Sequence, residues 1–214
     1  ERGATRVINP PRAVQACDKA SVYFLWNRHL RNRIPMPPTI ITSSGARARE
    51  FIAQYGKVVA KPVDGQAGMG VTFIDSKDAR GMSKLADRPG TLFLQKLIPS
   101  THEIRTIVVG DDVVAQYARY NLGGLHSLGA GAILLPVDDS RVGLPASTAA
   151  DLREIALAAK GMTGLDLLAL DTLIDAKQQP WLIDVNPFFA YGHTRELGFS
   201  IASHIVDFMM VLSQ

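Results

Sequence analysis

The stretch LALDTLIDAKQQPWLIDVN, residues 168–186, decides how the C-terminal half of this chain folds. Two runs rich in Leu, Ile and Val flank the segment 176–179, which predicts two antiparallel strands joined by a short turn. The register we expect places Asp175 opposite Pro180. Because side chains alternate between the two faces of a strand, one face then carries a set that we expect to be buried: Leu170, Thr172, Ile174, Trp181, Ile183 and Val185.

The other face of this hairpin carries acidic side chains. The same register sets Asp171 directly opposite Asp184, and Asn186 points to the same side because it lies two residues further along the strand. Two carboxylates opposed in register repel each other. A hard cation would offset that repulsion, and ligands that are all oxygen atoms suit Mg²⁺. The alternative is a pair of solvated aspartates on an exposed face, and the opposed register favours the metal site.

A glycine-rich segment, DGQAGMG, precedes the strand VTFID at 71–75. Its glycines are Gly65, Gly68 and Gly70, and Lys61 lies on the strand before them. A Rossmann fingerprint is excluded because the order is G-x-x-G-x-G and a strand follows, and a Walker A loop is excluded because Val71 follows the last glycine. Either a flexible lid over phosphates or a plain glycine turn remains, and the segment alone does not decide between them.

Three charged residues lie on the middle strands. Glu103 and Arg105 share one face of a predicted strand, and Arg119 lies on its hairpin partner. An arginine fork suits phosphate or carboxylate because it donates two parallel hydrogen bonds. By themselves, these residues are better explained as surface ion pairs, which are common and contribute little.

The rest of the chain mixes helices and strands, so we predict an α+β fold. Asn9 before two prolines predicts a helix cap, with helical spacing from Val14 to Leu30. Ser147 or Thr148 predicts the start of a helix that ends at Gly161. Further helices are predicted at 46–55 and 200–212. Further strands are predicted at 57–63, 91–98, 103–109 and 113–119.

Composition narrows the function classes. The chain has 214 residues, 47% of them apolar and 20% charged, with a formal net charge of +3. No basic arm with interleaved aromatics indicates nucleic-acid binding. Cys17 is the single cysteine, so an intramolecular disulfide and a Cys-rich zinc site are excluded. No segment reads as a signal peptide or a membrane span. The first residues read like the middle of a protein, so we expect an upstream domain.

Five segments in order resemble the RimK-like ATP-grasp ligases, which add glutamate or other amino acids to proteins, peptides and cofactors. The resemblance runs from about Asn9 to the end of the chain. Its segments are DKASVYFLWNRHLRNRIPMPPT (18–39), VVAKPVDGQAGMGV (58–71), LFLQKLI (92–98), EIRTIVVGDDVVAQYAR (103–119) and LDLLALDTLID with WLIDVN (165–175, 181–186).

The resemblance implies an ATP-grasp fold with three parts: N-terminal helices and linker at 1–44, a lid subdomain at 45–100 and a metal-binding subdomain at 101–214. It implies ATP and Mg²⁺ as cofactors, with Mn²⁺ as a substitute. The residues implied for ATP are Lys19 and Lys61 at the phosphates, Gly65, Gln66, Gly68 and Gly70 in the loop that covers them, Gln95, Lys96, Leu97 and Ile98 at the adenine, and Glu103 at the ribose. Arg105 and Arg119 would be catalytic, and Asp171, Asp184 and Asn186 would hold the metal.

The implied reaction joins a carboxylate to an amine through an acylphosphate, with release of ADP and phosphate. The implied partners are small-molecule, peptide or protein substrates, and neither nucleic acid nor a membrane is implied. The implied location is the cytoplasm, and a homo-oligomer is possible under the resemblance. Two alternatives are a non-catalytic ATP-binding module and an ATP-dependent phosphotransferase. The chain departs from the family at three places: Lys96 stands where the family often has an acid, Asp184 stands where a Glu is usual, and Pro187–Phe189 stand where small residues are usual. The Asn that the family carries cannot be placed at 125–131.

Overall fold

A computed structural model describes residues 7–63, 70–86, 90–100, 102–121 and 131–213. The helices in these ranges are α1 (Pro11–Gln15), α2 (Lys19–His29), α3 (Gly45–Tyr55), α4 (Ala79–Ala86), α5 (Ala146–Thr163) and α6 (Ile201–Leu212), with a 3-10 helix at Gly192–Leu197. The strands are β1 (Thr39–Thr42), β2 (Lys57–Lys61), β3 (Thr72–Asp75), β4 (Leu92–Lys96), β5 (His102–Val109), β6 (Asp112–Tyr120), β7 (Ile133–Pro136), β8 (Leu167–Ile174) and β9 (Pro180–Asn186).

The strands form two antiparallel sheets, which confirms the predicted α+β class. The smaller one, called the lid sheet below, has the order β1-β4-β2-β3. The larger one, called the central sheet, has the order β7-β6-β5-β8-β9. The lid sheet includes Thr39–Thr42, ahead of the expected boundary at residue 45, because this strand pairs with Leu92–Lys96.

Each sheet buries apolar side chains against helices. The lid sheet packs on α3 and α4 through a core that includes Ile52, Val58 and Leu94. One face of the central sheet packs on α2 and α5 through a larger core, with Ile104 and Leu168 fully buried. The opposite face packs on α6 and the 3-10 helix. None of the helices in the described ranges is long and apolar enough to cross a lipid bilayer.

The first helix is divided, whereas helical spacing predicted a continuous one to Leu30. Asp18 has extended backbone and caps α2, because its carboxylate accepts hydrogen bonds from the N–H groups of Ala20 and Ser21 at 2.9 and 3.0 Å. Burial opposes ionisation of Asp18, but these bonds and the one from the Ser21 hydroxyl outweigh it and lower its pKa. The predicted cap at Asn9 is wrong, since Pro10 occupies the cap position of α1.

Several other boundaries differ from the sequence prediction. Helix α5 begins after Pro145 and continues past Gly161, because a glycine inside a helix weakens it without ending it. It stops at Gly164, which adopts the left-handed conformation with φ of 71°. Four elements lacked a strong sequence signal: β1, α4, β7 and the 3-10 helix.

Gly110 forms the predicted turn between β5 and β6. It has φ of 59°, and a Cβ added there would lie 2.7 Å from the ring of Phe208 on α6. A substitution at Gly110 therefore meets both backbone strain and a packed aromatic ring. Gly198 also has a positive φ, of 82°, but an added Cβ there would meet no atom within 4 Å.

We expect Gly110→Ala to destabilise the fold more than Gly198→Ala does. The left-handed backbone costs an L-residue roughly 1–2 kcal/mol at either position, and only Gly110→Ala adds displacement of the Phe208 ring. Urea unfolding of the two variants measures the difference. Equal free energies of unfolding would show that the Gly110–Phe208 contact contributes nothing.

Candidate functional site

A row of charged residues crosses one face of the central sheet. Arg105 on β5 is in register with Asp171 on β8, which is in register with Asp184 on β9. Cross-strand partners point to the same face, so the three side chains are neighbours on the sheet surface. The structure therefore brings together the predicted acidic pair and one of the predicted arginines.

Asp171 is the most fully bonded member of this row. Its Oδ1 accepts from Arg105 Nε at 2.7 Å, and its Oδ2 accepts from Arg105 Nη2 at 2.7 Å. Oδ2 also lies 3.1 Å from Arg119 Nη2 and accepts from Asn186 Nδ2 at 2.9 Å. Burial opposes ionisation of Asp171, which is 4% exposed, but the two arginines outweigh it and lower its pKa.

Asp184 has a different environment. Its Oδ1 accepts from the N–H of Val185 at 3.0 Å, and the residue lines a cavity of about 190 Å³ together with Lys19 and Asn186. Burial raises the pKa of Asp184 above its ordinary value, and the charge of Asp171 adds to the rise, which the Lys19 and Lys61 ammonium groups only partly offset. A half-buried carboxylate that resists ionisation is stabilised in its charged form by a nearby cation.

Asp171 and Asp184 lie opposite each other as expected, but the strand register that places them there differs from the expected one. Near the turn Pro180 lies opposite Ile174, one residue away from the expected Asp175. The register then shifts between Asp171 and Thr172, and the bulge restores the opposition of Asp171 and Asp184. The bulge also changes the apolar face: Leu182 is fully buried and pairs with Thr172. Ile183 is the extra residue, and Trp181 pairs with Leu173 on the face of Asp171, so the predicted apolar set is wrong at these two positions.

Glu103 and Arg119 extend the charged row. They are paired in register on β5 and β6, and their side chains form an ion pair. Glu103 is 5% exposed. The resemblance implies that Glu103 binds ribose; in this structure its carboxylate is already engaged by Arg119, so a hydroxyl donor would have to share it. The surface-pair explanation of these residues is excluded, because the pairs are buried.

Lys61 reaches from the lid sheet to the central sheet. Its Nζ donates to Gln95 Oε1 at 2.6 Å and lies 3.4 Å from the carbonyl oxygen of Ile183, the residue before Asp184. Burial lowers the pKa of Lys61 to about 8, an effect that Asp184 opposes. Lys19 lines the cavity, and its N–H donates to the carbonyl of Val63 at 3.2 Å. Both predicted phosphate lysines therefore lie beside Asp184.

The predicted adenine segment, Gln95 to Ile98, is built into the lid sheet. The N–H of Lys96 donates to the carbonyl of Pro38, and the N–H of Leu97 donates to the carbonyl of Lys57, both at 2.9 Å. The Lys96 side chain is exposed, with its Nζ 5.9 Å from the centre of the Tyr55 ring. Adenine binding through this segment would therefore use backbone groups other than these two N–H groups.

The glycine-rich loop falls mainly outside the described residues. Gly65, Gln66 and Gly68 lie there, as do residues 125–130, where a family Asn was sought. Gly70 is described and has φ of 74°; an added Cβ would lie 2.7 Å from Pro62 Cγ. Glycine is therefore required where the loop returns to the lid sheet.

Asn9 is a residue whose role was mistaken in the sequence. Its Oδ1 accepts from the N–H of Leu167 at 2.7 Å, and its Nδ2 donates to the carbonyls of Leu167 and Pro187 at 2.8 and 3.1 Å. The amide thus imitates a strand partner for the start of β8 and fixes the chain just after Asn186. Helix capping and this long-range brace both suit Asn, so no local signal distinguishes them.

The donor set fits a hard cation at Asp184 and Asn186. Both line the cavity and both offer oxygen, the ligand type that Mg²⁺ prefers. Asp171 lies behind them and would have to share its carboxylate with the arginines. No cluster of three or more His, Cys, Asp or Glu side chains suited to a metal occurs among the described residues.

Comparisons with known proteins identify the family and the fold. A sequence model of the RimK-like ATP-grasp domain matches residues 16–209. The chain is similar to the tetrahydromethanopterin:alpha-L-glutamate ligase of Methanocaldococcus jannaschii, with 28% identity over 193 residues that cover 84% of this chain and 61% of that protein. It is also similar to the alpha-aminoadipate–LysW ligase LysX of Saccharolobus solfataricus, with 28% identity over 218 residues that cover 94% of this chain and 73% of that protein.

A solved structure shows the same fold. The ATP-grasp ligase PsnB, in complex with a phosphomimetic variant of its minimal precursor, Mg and ADP, superposes with a TM-score of 0.74 and 18% identity. The match covers 99% of this chain and 64% of that one. The chain thus spans less than two thirds of the length of PsnB and of the M. jannaschii relative.

We expect Asn9→Asp to destabilise the protein by roughly 2–3 kcal/mol, because it removes two donors and leaves a carboxylate against two carbonyl oxygens. Urea unfolding measures the loss. The control is Asn27→Asp on the exposed surface of α2, with an expected change within about 0.5 kcal/mol. Equal effects of the two variants would contradict the bracing role.

Proposed function

The chain belongs to the RimK-like ATP-grasp domain family, and we propose that it is the nucleotide-binding part of a ligase that joins a carboxylate to an amine at the expense of ATP. The observation that carries the proposal is Asp184, a cavity-lining carboxylate whose charged form Lys19 and Lys61 favour and which is in register with Asp171 of the arginine cluster. Because the chain spans about 61% of the M. jannaschii relative, the reaction of the whole protein is part of the proposal.

The charges of the site favour a magnesium nucleotide. Among the described residues, four cationic side chains (Lys19, Lys61, Arg105 and Arg119) face four carboxylates (Asp18, Glu103, Asp171 and Asp184), which gives a formal charge of zero. A site with balanced charge would bind a polyanion weakly without a metal. When bound at Asp184 and Asn186, Mg²⁺ would neutralise charge on the β- and γ-phosphates.

The protein's own groups would position and stabilise the reactants. Lys61 and Lys19 would contact the phosphates. Arg119 and Arg105 would present guanidinium groups held in place by Glu103 and Asp171, so that a substrate carboxylate or the transferred phosphoryl group meets preorganised donors. The substrate carboxylate attacks the γ-phosphorus of ATP, and ADP leaves. The amine substrate then attacks the acylphosphate and displaces phosphate. No side-chain nucleophile is required.

We propose the chemical class of the substrates and not their individual identities. Each of the two curated relatives is named for an amino acid, glutamate or α-aminoadipate, together with a second molecule, and the PsnB complex contains a precursor. We therefore include an amino acid or peptide among the substrates. The cytoplasm, where ATP is supplied, is the proposed location, and the proposal leaves the oligomeric state open.

We expect calorimetry to show ATP binding that requires Mg²⁺ and that weakens by at least about tenfold in Asp184→Ala, because loss of a metal ligand or its support costs that much. Asp184→Asn keeps the shape and should weaken binding in the same direction. The control is Asp207→Ala on the exposed surface of α6, which should bind as the wild type does. ATP binding that is unchanged in Asp184→Ala would contradict the assignment of the metal site.

The chemistry is tested by trapping with hydroxylamine. Wild-type protein with ATP, Mg²⁺ and a panel of amino acids and peptides should release ADP and give a hydroxamate, because hydroxylamine attacks an acylphosphate. ADP release with phosphorylation of a hydroxyl and without hydroxamate would instead show a phosphotransferase. ATP binding with no ADP release across the panel would favour a non-catalytic module.

A further inference from the structure

The ammonium group of Lys61 is held by polar side chains on one face of the lid sheet. Thr39 on β1 and Gln95 on β4 are in register, and Gln95 is also in register with Val59 on β2. Lys61 lies two residues after Val59, so it points to the same face as Gln95 and Thr39. The three polar side chains therefore form a row across three strands.

The hydrogen bonds in this row have one consistent direction. The Thr39 hydroxyl donates to the carbonyl of Pro37 at 2.6 Å, so its oxygen accepts from Gln95 Nε2 at 3.1 Å. That bond turns Gln95 Oε1 toward Lys61, whose Nζ donates to it at 2.6 Å. The reverse orientation would set an NH₂ group against an ammonium, which has no acceptor. Thr39 and Lys61 thus both require the amide oxygen to face the lysine.

Lys61 is also held from the central sheet. Its Nζ lies 3.4 Å from the carbonyl of Ile183. Ile183 is the extra residue of the β-bulge, so its backbone departs from the regular ladder and offers its carbonyl to the lid. Asp184 is the next residue. The ammonium is therefore fixed between the two sheets, at the end of the site where the proposed metal lies.

A neutral amide is suited to this position. Gln95 is 2% exposed, and a buried hydrogen bond to the charged form of a lysine favours that form. A carboxylate at residue 95 would pair with Lys61 and cancel its charge, beside two aspartates already present. The amide oxygen instead orients the ammonium and leaves its full positive charge available to an anion.

We propose that Gln95 and Thr39 are positioning residues for Lys61: they hold its ammonium where a phosphate of the nucleotide binds, and they act through Lys61 rather than by contact with the base. The inference rests on the proposed function for the identity of the anion. It changes the role expected for Gln95, whose side-chain oxygen and nitrogen both have partners within the lid sheet.

The test compares ADP with adenosine as ligands, both measured in the presence of Mg²⁺ by displacement of a fluorescent ADP analogue. We expect Gln95→Leu, which keeps the size and removes both hydrogen bonds, to weaken ADP binding about tenfold, as for loss of one hydrogen bond to a charged group. Adenosine affinity should stay within about twofold. Thr39→Val should weaken ADP binding in the same direction, and Thr39→Ser, which keeps the hydroxyl, should restore it.

A double-mutant cycle with Lys61→Met shows whether Gln95 acts through the lysine. We expect Gln95→Leu to have no further effect on ADP affinity once Lys61 is replaced. An unchanged tenfold loss in the Lys61→Met background, or an equal loss for adenosine, would overturn the inference. Thr39→Val carries the same cycle should Gln95→Leu be unstable. Wild-type protein that binds neither ligand would overturn the proposed function and this inference with it.

Discussion

The carboxylate of Asp171 lies between two arginines, and the geometry of the site depends on this buried cluster. An ion pair taken out of water is costly, and removal of one partner from such a pair costs roughly 3–5 kcal/mol because the other charge stays buried. At Asp171 this cost is offset by a bidentate hydrogen bond from Arg105, an ion pair with Arg119 and a hydrogen bond from Asn186. These contacts join β5, β6, β8 and β9 at one level of the central sheet.

The cluster separates the roles of the two aspartates. Because the arginines neutralise Asp171, the repulsion across the hairpin is smaller than the sequence alone suggested, and Asp184 is left to face the cavity. The bulge at Ile183 contributes to the same result, since it sets Asp184 opposite Asp171 and turns a carbonyl toward Lys61. The two aspartates therefore have opposite shifts: the pKa of Asp171 is lowered and the pKa of Asp184 is raised.

Long elements with a strong period were predictable from the sequence. Strands β5, β6, β8 and β9 and helix α6 were expected within about two residues of their observed bounds, because apolar alternation and turn residues agree there. The opposition of Asp171 and Asp184 was also expected, although the assumed register near the turn was wrong. A one-residue bulge has no local signature in LIDVN, and only the pairing with the neighbouring strand reveals it.

Contacts between distant segments could not be predicted. Asn9 bonds to residues that lie 158 and 178 positions further along the chain. The Thr39–Gln95–Lys61 row requires the strand order of the lid sheet. Strands β1 and β7 are four residues each, too short for a period to be visible, and they exist because a neighbouring strand offers hydrogen bonds. The burial of Arg105 and Arg119 in ion pairs was not predictable either, since charge spacing by itself suggested surface pairs.

The most direct test of the central claim is the position of a metal in crystals grown with ADP and Mn²⁺, located by anomalous scattering. The account predicts one manganese peak within about 2.2 Å of oxygen atoms of Asp184 and Asn186 and of the diphosphate, with Arg105 still bonded to Asp171. A metal bound elsewhere on the chain, or a diphosphate held away from Lys61 and Asp184, would contradict it.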